Sequence, residues 1–290
     1  MSYSNKLKIA FIGFVSLVFQ NMLYSQDESL NRLYFYNWKI VNPAAAGLDG
    51  AQKFDINYIS TFINLSDMQL SWETKLVGRN SGVGVIFENQ QFGPFTRVYA
   101  SALYNYQISF DEDKKLSFGT SFNFVSETRG DTFIYIDGDD VTKSDPPRGS
   151  AFDFGLGMAI KTKSFQGGVA LRNVLQSEIY ADSLESFSRN TIQHLTAYLE
   201  YRLGPRNFKF IPSGFFYTNY HYSYFDINPT FKLMNFFLIS GGMRITEHRK
   251  LVNFSAGIDW KDKIQFSGIF YSTNYYGAEN GIEFRLTIKP

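Results

Sequence analysis

The sequence predicts an all-β protein: a transmembrane antiparallel β-barrel of about 14 strands, with an N-terminal signal peptide and a short N-terminal pre-barrel segment. Three observations predict it. Apolar and polar residues alternate along most of the chain, aromatic residues make up 18% of it, and a long apolar run lies close to the N-terminus. We place the signal peptide at residues 1–25, a plug-like or periplasmic segment at 26–50, and the barrel at 51–290.

The first element has the pattern of a secretory signal peptide. Lys6 and Lys8 precede an apolar run at residues 9–19, and a polar stretch, QNMLYSQ, follows it. The run is about half the roughly 20 residues that a membrane-spanning helix needs. We expect cleavage near Ser25 or Gln26 and export of the mature chain; the alternative is a buried or membrane-anchoring helix.

The exported part alternates with the period of a β-strand. In the stretch MQLSWETKL, Met68, Leu70 and Trp72 fall on one parity, whereas Gln69 and Glu73 fall on the other. Successive side chains of a strand point to opposite faces, so one face is apolar and the other polar. The last stretch, GIEFRLTIK, repeats the pattern. We assign the apolar parity to lipid and the polar parity to the lumen.

Fourteen candidate strands follow one another along the chain. Most have about 11 residues, the length that a tilted strand needs to cross a membrane, and the even number suits a bacterial barrel. The predicted strands are 52–63, 66–77, 80–90, 95–110, 114–126, 150–161, 164–174, 190–202, 206–218, 221–233, 236–246, 250–260, 263–273 and 279–289.

The lengths of the connections give an independent check on this strand count. The two longest loops, about 127–149 and 175–189, both follow odd-numbered strands, so they emerge at the same end of the barrel. Turns after even-numbered strands are short, as in KTKS and WKDK. Outer-membrane barrels have short periplasmic turns and longer outer loops, so we expect the long loops to face outward. A soluble β-sandwich is the alternative, because it also alternates.

A 14-stranded barrel has a lumen that something must fill, or it conducts. The candidates are the N-terminal segment and the long outer loops. Residues 27–41 could form a short helix capped by Ser29. Small side chains follow Asn42-Pro43 in the stretch NPAAAG, which would let this backbone lie close against another surface. The alternative is a linker into the first strand.

The stretch LYFYNWKIVNPAAAG resembles the N-terminal signature of the PorP/SprF family of type IX secretion membrane proteins, and GVALRNV at 168–174 resembles a later strand of that family. The residues that match the signature are Asn37, Asn42, Pro43, Ala44, Ala46 and Gly47, and Tyr36 supplies an aromatic residue before them. The resemblance extends over essentially the whole mature chain.

The resemblance implies an accessory barrel of type IX secretion in the outer membrane of a Gram-negative, Bacteroidetes-like bacterium. It implies support for the export or surface retention of specific secreted proteins, such as gliding-motility adhesins. The implied partners are cargo proteins with type IX C-terminal signal domains, secretion components in the outer membrane and periplasm, and the lipid bilayer. A porin or a channel for hydrophobic substrates is the alternative function.

We find no residue pattern that predicts chemistry. His194, His221 and His248 lie about 27 residues apart, without the spacing of metal ligands, and cysteine is absent. The acidic stretch DGDD at 137–140, with Asp145, favours a solvated loop over a calcium site. A net charge of +1 gives no footprint for nucleic acid. We therefore expect no enzyme activity, no cofactor, no metal and no nucleic-acid partner.

Overall fold

The fold is seen in a computed structural model. The predicted signal peptide, Ser29 and Asp145 lie outside the residues that it describes. Those residues are 32–61, 65–93, 95–111, 113–130, 133–137, 140–144, 148–181, 188–205, 207–247, 250–273 and 280–290.

Fourteen strands form a closed antiparallel barrel, as predicted. Four further strands form two separate hairpins: β6 (Phe133–Asp137) with β7 (Asp140–Ser144), and β10 (Glu178–Ala181) with β11 (Ser188–Asn190). The barrel strands are β1 (Lys53–Thr61), β2 (Leu65–Lys75), β3 (Ser81–Phe92), β4 (Phe95–Ser109), β5 (Lys115–Arg129), β8 (Arg148–Lys161), β9 (Phe165–Arg172), β12 (His194–Tyr201), β13 (Phe208–Thr218), β14 (Ser223–Leu233), β15 (Phe237–Thr246), β16 (Lys250–Trp260), β17 (Ile264–Thr273) and β18 (Gly281–Ile288).

The barrel closes between its first and last strands. β1 pairs with β18 from Phe54 opposite Ile288 to Thr61 opposite Gly281. Every other barrel strand pairs with its neighbours along the chain, apart from the two places where a hairpin is inserted. This closure leaves no free edge between the ends of the sheet, which is the condition for a strand to cross hydrocarbon.

The two faces of the strands are those that the alternation predicted. On β2, Met68 and Leu70 are exposed on the outside of the barrel, whereas Gln69 and Glu73 are buried on the inside. On β18, Phe284 is exposed and Arg285 is buried. The apolar surface therefore faces lipid, and the buried polar residues line the lumen. A soluble sandwich, with its apolar face inside, does not fit this arrangement.

Both long loops emerge at the same end of the barrel and carry the two hairpins. The sequence prediction is wrong in two details here. β5 continues to Arg129, beyond the predicted end at 126, and residues 188–190 form β11 instead of the start of the next barrel strand. Within the part of the chain that the structure describes, no helix is long and apolar enough to cross a bilayer.

The N-terminal segment is not the regular helix that the sequence suggested. Its described part, from residue 32, contains three 3₁₀ helices at Arg32–Tyr36, Trp38–Ile40 and Pro43–Ala45. Asn42 is extended and Pro43 opens the third of them, so the chain changes direction at the asparagine. All residues from Leu33 to Leu48 are buried except Tyr36, which is half-buried. We call residues 32–50 the plug segment, because their contacts lie with the inward face of the barrel.

Candidate functional site in the barrel lumen

Asn42 fixes the turn of the plug segment and ties it to the barrel wall. Its side-chain oxygen accepts a hydrogen bond from the Ala44 amide at 2.9 Å, as a helix N-cap does. Its side-chain nitrogen donates to the carbonyl oxygens of Met158 on β8 and Val169 on β9, at 3.0 and 3.1 Å. One amide group thus holds its own chain and two neighbouring strands.

Glycines in the barrel wall make room for the small residues of the motif. A Cβ atom on Gly119 of β5 would lie 2.4 Å from the Ala44 amide nitrogen, and one on Gly82 of β3 would lie 2.2 Å from the Ala46 carbonyl oxygen. A Cβ atom on Gly157 of β8 would lie 2.2 Å from the Asn42 side-chain oxygen. Any larger residue at these positions would therefore displace the plug segment.

The motif ends with a glycine that is required for two reasons. Gly47 has a φ of 63°, in the left-handed region that favours glycine, and an added Cβ atom would lie 2.4 Å from the Thr74 carbonyl oxygen. Its amide donates to the Glu73 carboxylate at 2.6 Å. From β4, the Asn105 side chain donates to the carbonyl oxygen of Ala46 at 2.5 Å. Small residues in NPAAAG thus allow direct backbone contact with the wall.

A buried charge network holds the middle of the plug segment. Lys39 is 2% exposed, and its ammonium nitrogen lies 2.6 Å from Asp55 and 3.5 Å from Glu73. Asp55 also pairs with Arg285 at 2.6 Å and accepts a hydrogen bond from the motif residue Asn37 at 3.0 Å. A buried lysine needs such partners, because an unpaired charge away from water is very unfavourable.

Aromatic residues at the start of the plug segment pack across the lumen. Trp38 stacks on Tyr198 with ring centroids 4.3 Å apart, and its indole nitrogen donates to Glu200 at 3.0 Å. Tyr34 packs against Phe215 and donates its hydroxyl hydrogen to Asp226 at 2.5 Å. These rings fill the lumen with apolar surface, while the indole N–H and the phenol O–H donate hydrogen bonds to carboxylates of the wall.

The plug segment crosses the lumen from one end towards the other. The Leu33 amide donates to Glu283, close to the end of β18 that adjoins the long loops. Asp49, at the opposite end, pairs with Lys53 of β1 and Lys161 of β8. Lys53, followed by Lys161, holds the pKa of the Asp49 carboxyl well below its usual range, so Asp49 stays charged where the plug segment joins the barrel.

The site is therefore made of the predicted motif residues and of wall residues that the sequence did not single out. Asn37, Asn42, Pro43, Ala44, Ala46 and Gly47 come together against the wall. Sequence reasoning missed the charged partners of Lys39 and the glycines of β3, β5 and β8. The sequence pattern that could have indicated them is a glycine or an acidic residue at an inward-facing position of an otherwise regular strand.

The histidines and the acidic stretch lie partly outside the described residues, which do not include 138–139, Asp145 or His248. His194 is fully buried on β12, contacts the Ile192 carbonyl oxygen at 3.2 Å and packs against Tyr217. No group of three or more metal-ligating side chains lies together in the part of the chain that the structure describes.

A closed barrel with lipid-facing apolar strands and a buried polar interior defines the class: this is an outer-membrane β-barrel. The chain belongs to the type IX secretion system membrane protein PorP/SprF family, whose model matches residues 23–289. The match covers nearly the whole chain and confirms the resemblance that the N-terminal signature indicated. No curated protein sequence matches the chain.

Solved outer-membrane structures share the fold at very low sequence identity. Acinetobacter baumannii outer membrane protein Omp33 is 8% identical, with 84% of this chain and 100% of that chain covered and a TM-score of 0.53. The toluene transporter TbuX of Ralstonia pickettii is 9% identical, with 86% and 92% covered and a TM-score of 0.57. The toluene transporter TodX of Pseudomonas putida is 9% identical, with 87% and 92% covered and a TM-score of 0.53.

Proposed function

We propose that this protein is a closed accessory barrel of type IX secretion, which supports the export or surface retention of specific secreted proteins and has no enzyme activity. Its partners are secreted proteins with type IX C-terminal signal domains, gliding-motility adhesins among them, and other secretion components in the outer membrane and periplasm. Membership of the PorP/SprF family supports a place in type IX secretion. The geometry of the lumen supports the role of a closed accessory barrel.

The observation on which this proposal depends is the filled lumen. The plug segment contacts strands all around the barrel: Asp55 on β1, Asn105 on β4, Glu200 on β12 and Asp226 on β14. A barrel filled by its own chain is a poor pore. Its use to a secretion system therefore lies in the surfaces that it offers at its two ends.

A channel for hydrophobic substrates is the second candidate, favoured by the fold that this chain shares with the toluene transporters TbuX and TodX. The lining of the lumen supports the channel less well. Inward-facing residues on most strands are polar or charged. A small cavity beyond the plug segment has a mixed lining, with the apolar Val125, Ile179 and Ile192 among polar residues that include Arg97, Asn123 and Asp153. An apolar substrate there would cover polar and charged groups of the wall without satisfying their hydrogen bonds, which is unfavourable.

Deletion of the gene, followed by quantitative proteomics of the culture medium and the cell surface, tests the proposal. We expect a small set of proteins with C-terminal signal domains to disappear from both fractions and to accumulate inside the cell. Other exported proteins provide the internal control. Unchanged secretion together with loss of uptake of an aromatic hydrocarbon would contradict the proposal and favour the channel.

A further inference from the structure

The half of β8 that adjoins the long loops has an open strand edge among the described residues. β8 pairs with β5 along its whole length, from Arg148 opposite Thr128 to Lys161 opposite Lys115. On its other side it pairs with β9 only from Leu156 to Lys161. Among the described strands, none pairs with residues 148–155 on the side away from β5.

The chain that leaves β9 is drawn inward and bonds this edge only at Phe154 and Phe152. Asn173 and Gln176 have positive φ angles of 53° and 52°, which turn the chain after β9 ends. The Asp153 carboxylate, on the lumen side of β8, accepts hydrogen bonds from the Leu175 amide at 2.9 Å and the Thr191 hydroxyl at 2.6 Å. These bonds tie the loop to the lumen side of β8.

Packing of the loop hairpin agrees with this. Ile179 of β10 is buried against Val125 and Ala151, whose side chains point into the lumen. Contacts of the loop with the edge are few: the Val174 amide donates to the Phe154 carbonyl oxygen, and the Ser177 hydroxyl donates to the Phe152 carbonyl oxygen. Beyond Phe152, towards Arg148, the edge has no strand partner among the described residues.

The side chains on the outside of this edge are unusually open. Phe152 is 73% exposed, whereas the apolar residues further along the same strand, Leu156 and Met158, are 49% and 43% exposed. Leu175, beside the edge, is 61% exposed. Arg148 and Ser150, also on the outside, are exposed and polar. Unpaired backbone groups are strongly unfavourable in hydrocarbon, so a polar end of a strand with an open edge belongs in water.

We propose that the open edge of β8, residues 148–152, binds an extended strand of a secreted protein by β-strand addition. An unpaired strand edge offers alternating amide and carbonyl groups, and an added strand is the ligand that satisfies them. Phe152 and Leu175 provide an apolar contact for every second side chain of the partner. This inference deepens the proposed function and rests on it, because the edge lies at the end with the long loops, where exported proteins arrive.

A proline at the edge removes one binding amide without harming the barrel. The carbonyl oxygens of Phe152 and Phe154 accept from loop residues, so even-numbered residues of β8 direct their backbone groups to the open side. Ser150→Pro therefore removes an edge amide and leaves the ladder with β5 intact, since proline is tolerated on strand edges. Ser150→Ala is the matched control, because it changes the side chain and keeps the amide.

The binding experiment uses the full-length barrel in detergent and, as the probe, a purified secreted protein that the deletion strain fails to export. We expect Ser150→Pro to bind about tenfold more weakly than wild type and Ser150→Ala to bind equally. Heat-modifiable mobility on gels shows that both variants are folded. Equal binding by the two variants would overturn the inference, whereas a deletion strain that loses no secreted protein would contradict the proposed function.

A second measurement needs no knowledge of the partner. Because the chain contains no cysteine, Ser150→Cys carries a single thiol. We expect a membrane-impermeant maleimide to label it rapidly in purified barrels and in cells with an inactive secretion system, but at least several-fold more slowly in secreting cells. Ala151→Cys, which faces the lumen, is the control. Equal labelling in both kinds of cell, or a disulfide-linked dimer of this chain, would overturn the inference.

Discussion

At the scale of single residues, the contact between the plug segment and the wall depends on glycines, which have a hydrogen atom in place of a side chain. Gly82, Gly119 and Gly157 lie on three different strands, and each faces a motif atom closer than any Cβ atom tolerates. The motif alone predicted that small residues would lie against a surface. It could not predict which surface, because the partners are 36 to 115 residues away in the sequence.

Gly119→Val should loosen the plug segment while the barrel still forms. The added Cβ atom would lie 2.4 Å from the Ala44 amide nitrogen, and overpacking of this kind costs about 1–3 kcal/mol. We expect a lower thermal transition and faster proteolysis between residues 32 and 50. Gly241→Val is the control, since a Cβ atom there would meet its nearest neighbour at 3.9 Å. Equal loss in both variants would contradict the close contact.

At the scale of elements, the N-terminal segment shows where sequence reasoning reached its limit. The sequence suggested one short helix over residues 27–41, but the described part of this stretch, from residue 32, forms short 3₁₀ helices. The reason is tertiary: Tyr34, Trp38 and Lys39 reach partners on three different strands, β14, β12 and β1. Side chains that must point in several directions across a lumen do not fit one helical face.

The attachment of the plug segment where it joins β1 should weaken at acid pH. Lys53 and Lys161 lower the pKa of Asp49 below its ordinary value of 3.8, so this carboxylate stabilises the folded state above that pH. The stabilisation is lost as the pH falls below 3.8 and through the lower pKa of the folded state.

Thermal unfolding followed by tryptophan fluorescence at pH 7, 4 and 3 measures this effect, with Trp38 as a reporter inside the plug segment. Asp49→Asn should be less stable than wild type at pH 7, and the difference should shrink at pH 3. Asp113→Asn, in an exposed turn, should follow the wild-type profile. A difference that persisted unchanged at the lowest pH would rule out the charged form of Asp49 as the source.

At the scale of the whole molecule, the strand count, the two faces and the common end of the long loops could all be predicted. These features follow from a period of two and from the parity of antiparallel strands, which are local properties of the chain. The short β9 and the inward course of residues 173–181 could not be predicted. They depend on Asp153, which looks like any other lumen residue until the loop is seen bound to it.

The orientation of the barrel in the membrane is tested by single cysteines at its two ends. His221→Cys lies in the turn between β13 and β14, at the end with the long loops, and Asp113→Cys lies in the turn between β4 and β5, at the other end. We expect an impermeant maleimide to label the first on intact cells, and the second only after the outer membrane is opened. Labelling of Asp113→Cys on intact cells would reverse the assignment.

The central claim is that the plug segment closes the barrel, and single-channel recording in planar bilayers tests it most directly. Gly47→Trp should displace the plug segment, because Gly47 has a positive φ and lies against the Thr74 carbonyl oxygen. Gly78→Trp is the matched control: Gly78 has a φ of 71°, but nothing lies within 4 Å of its added Cβ atom. We predict very low conductance for the wild type and Gly78→Trp, and larger, noisier conductance for Gly47→Trp. A wild-type protein that conducts like an open porin, with no change in Gly47→Trp, would contradict the account.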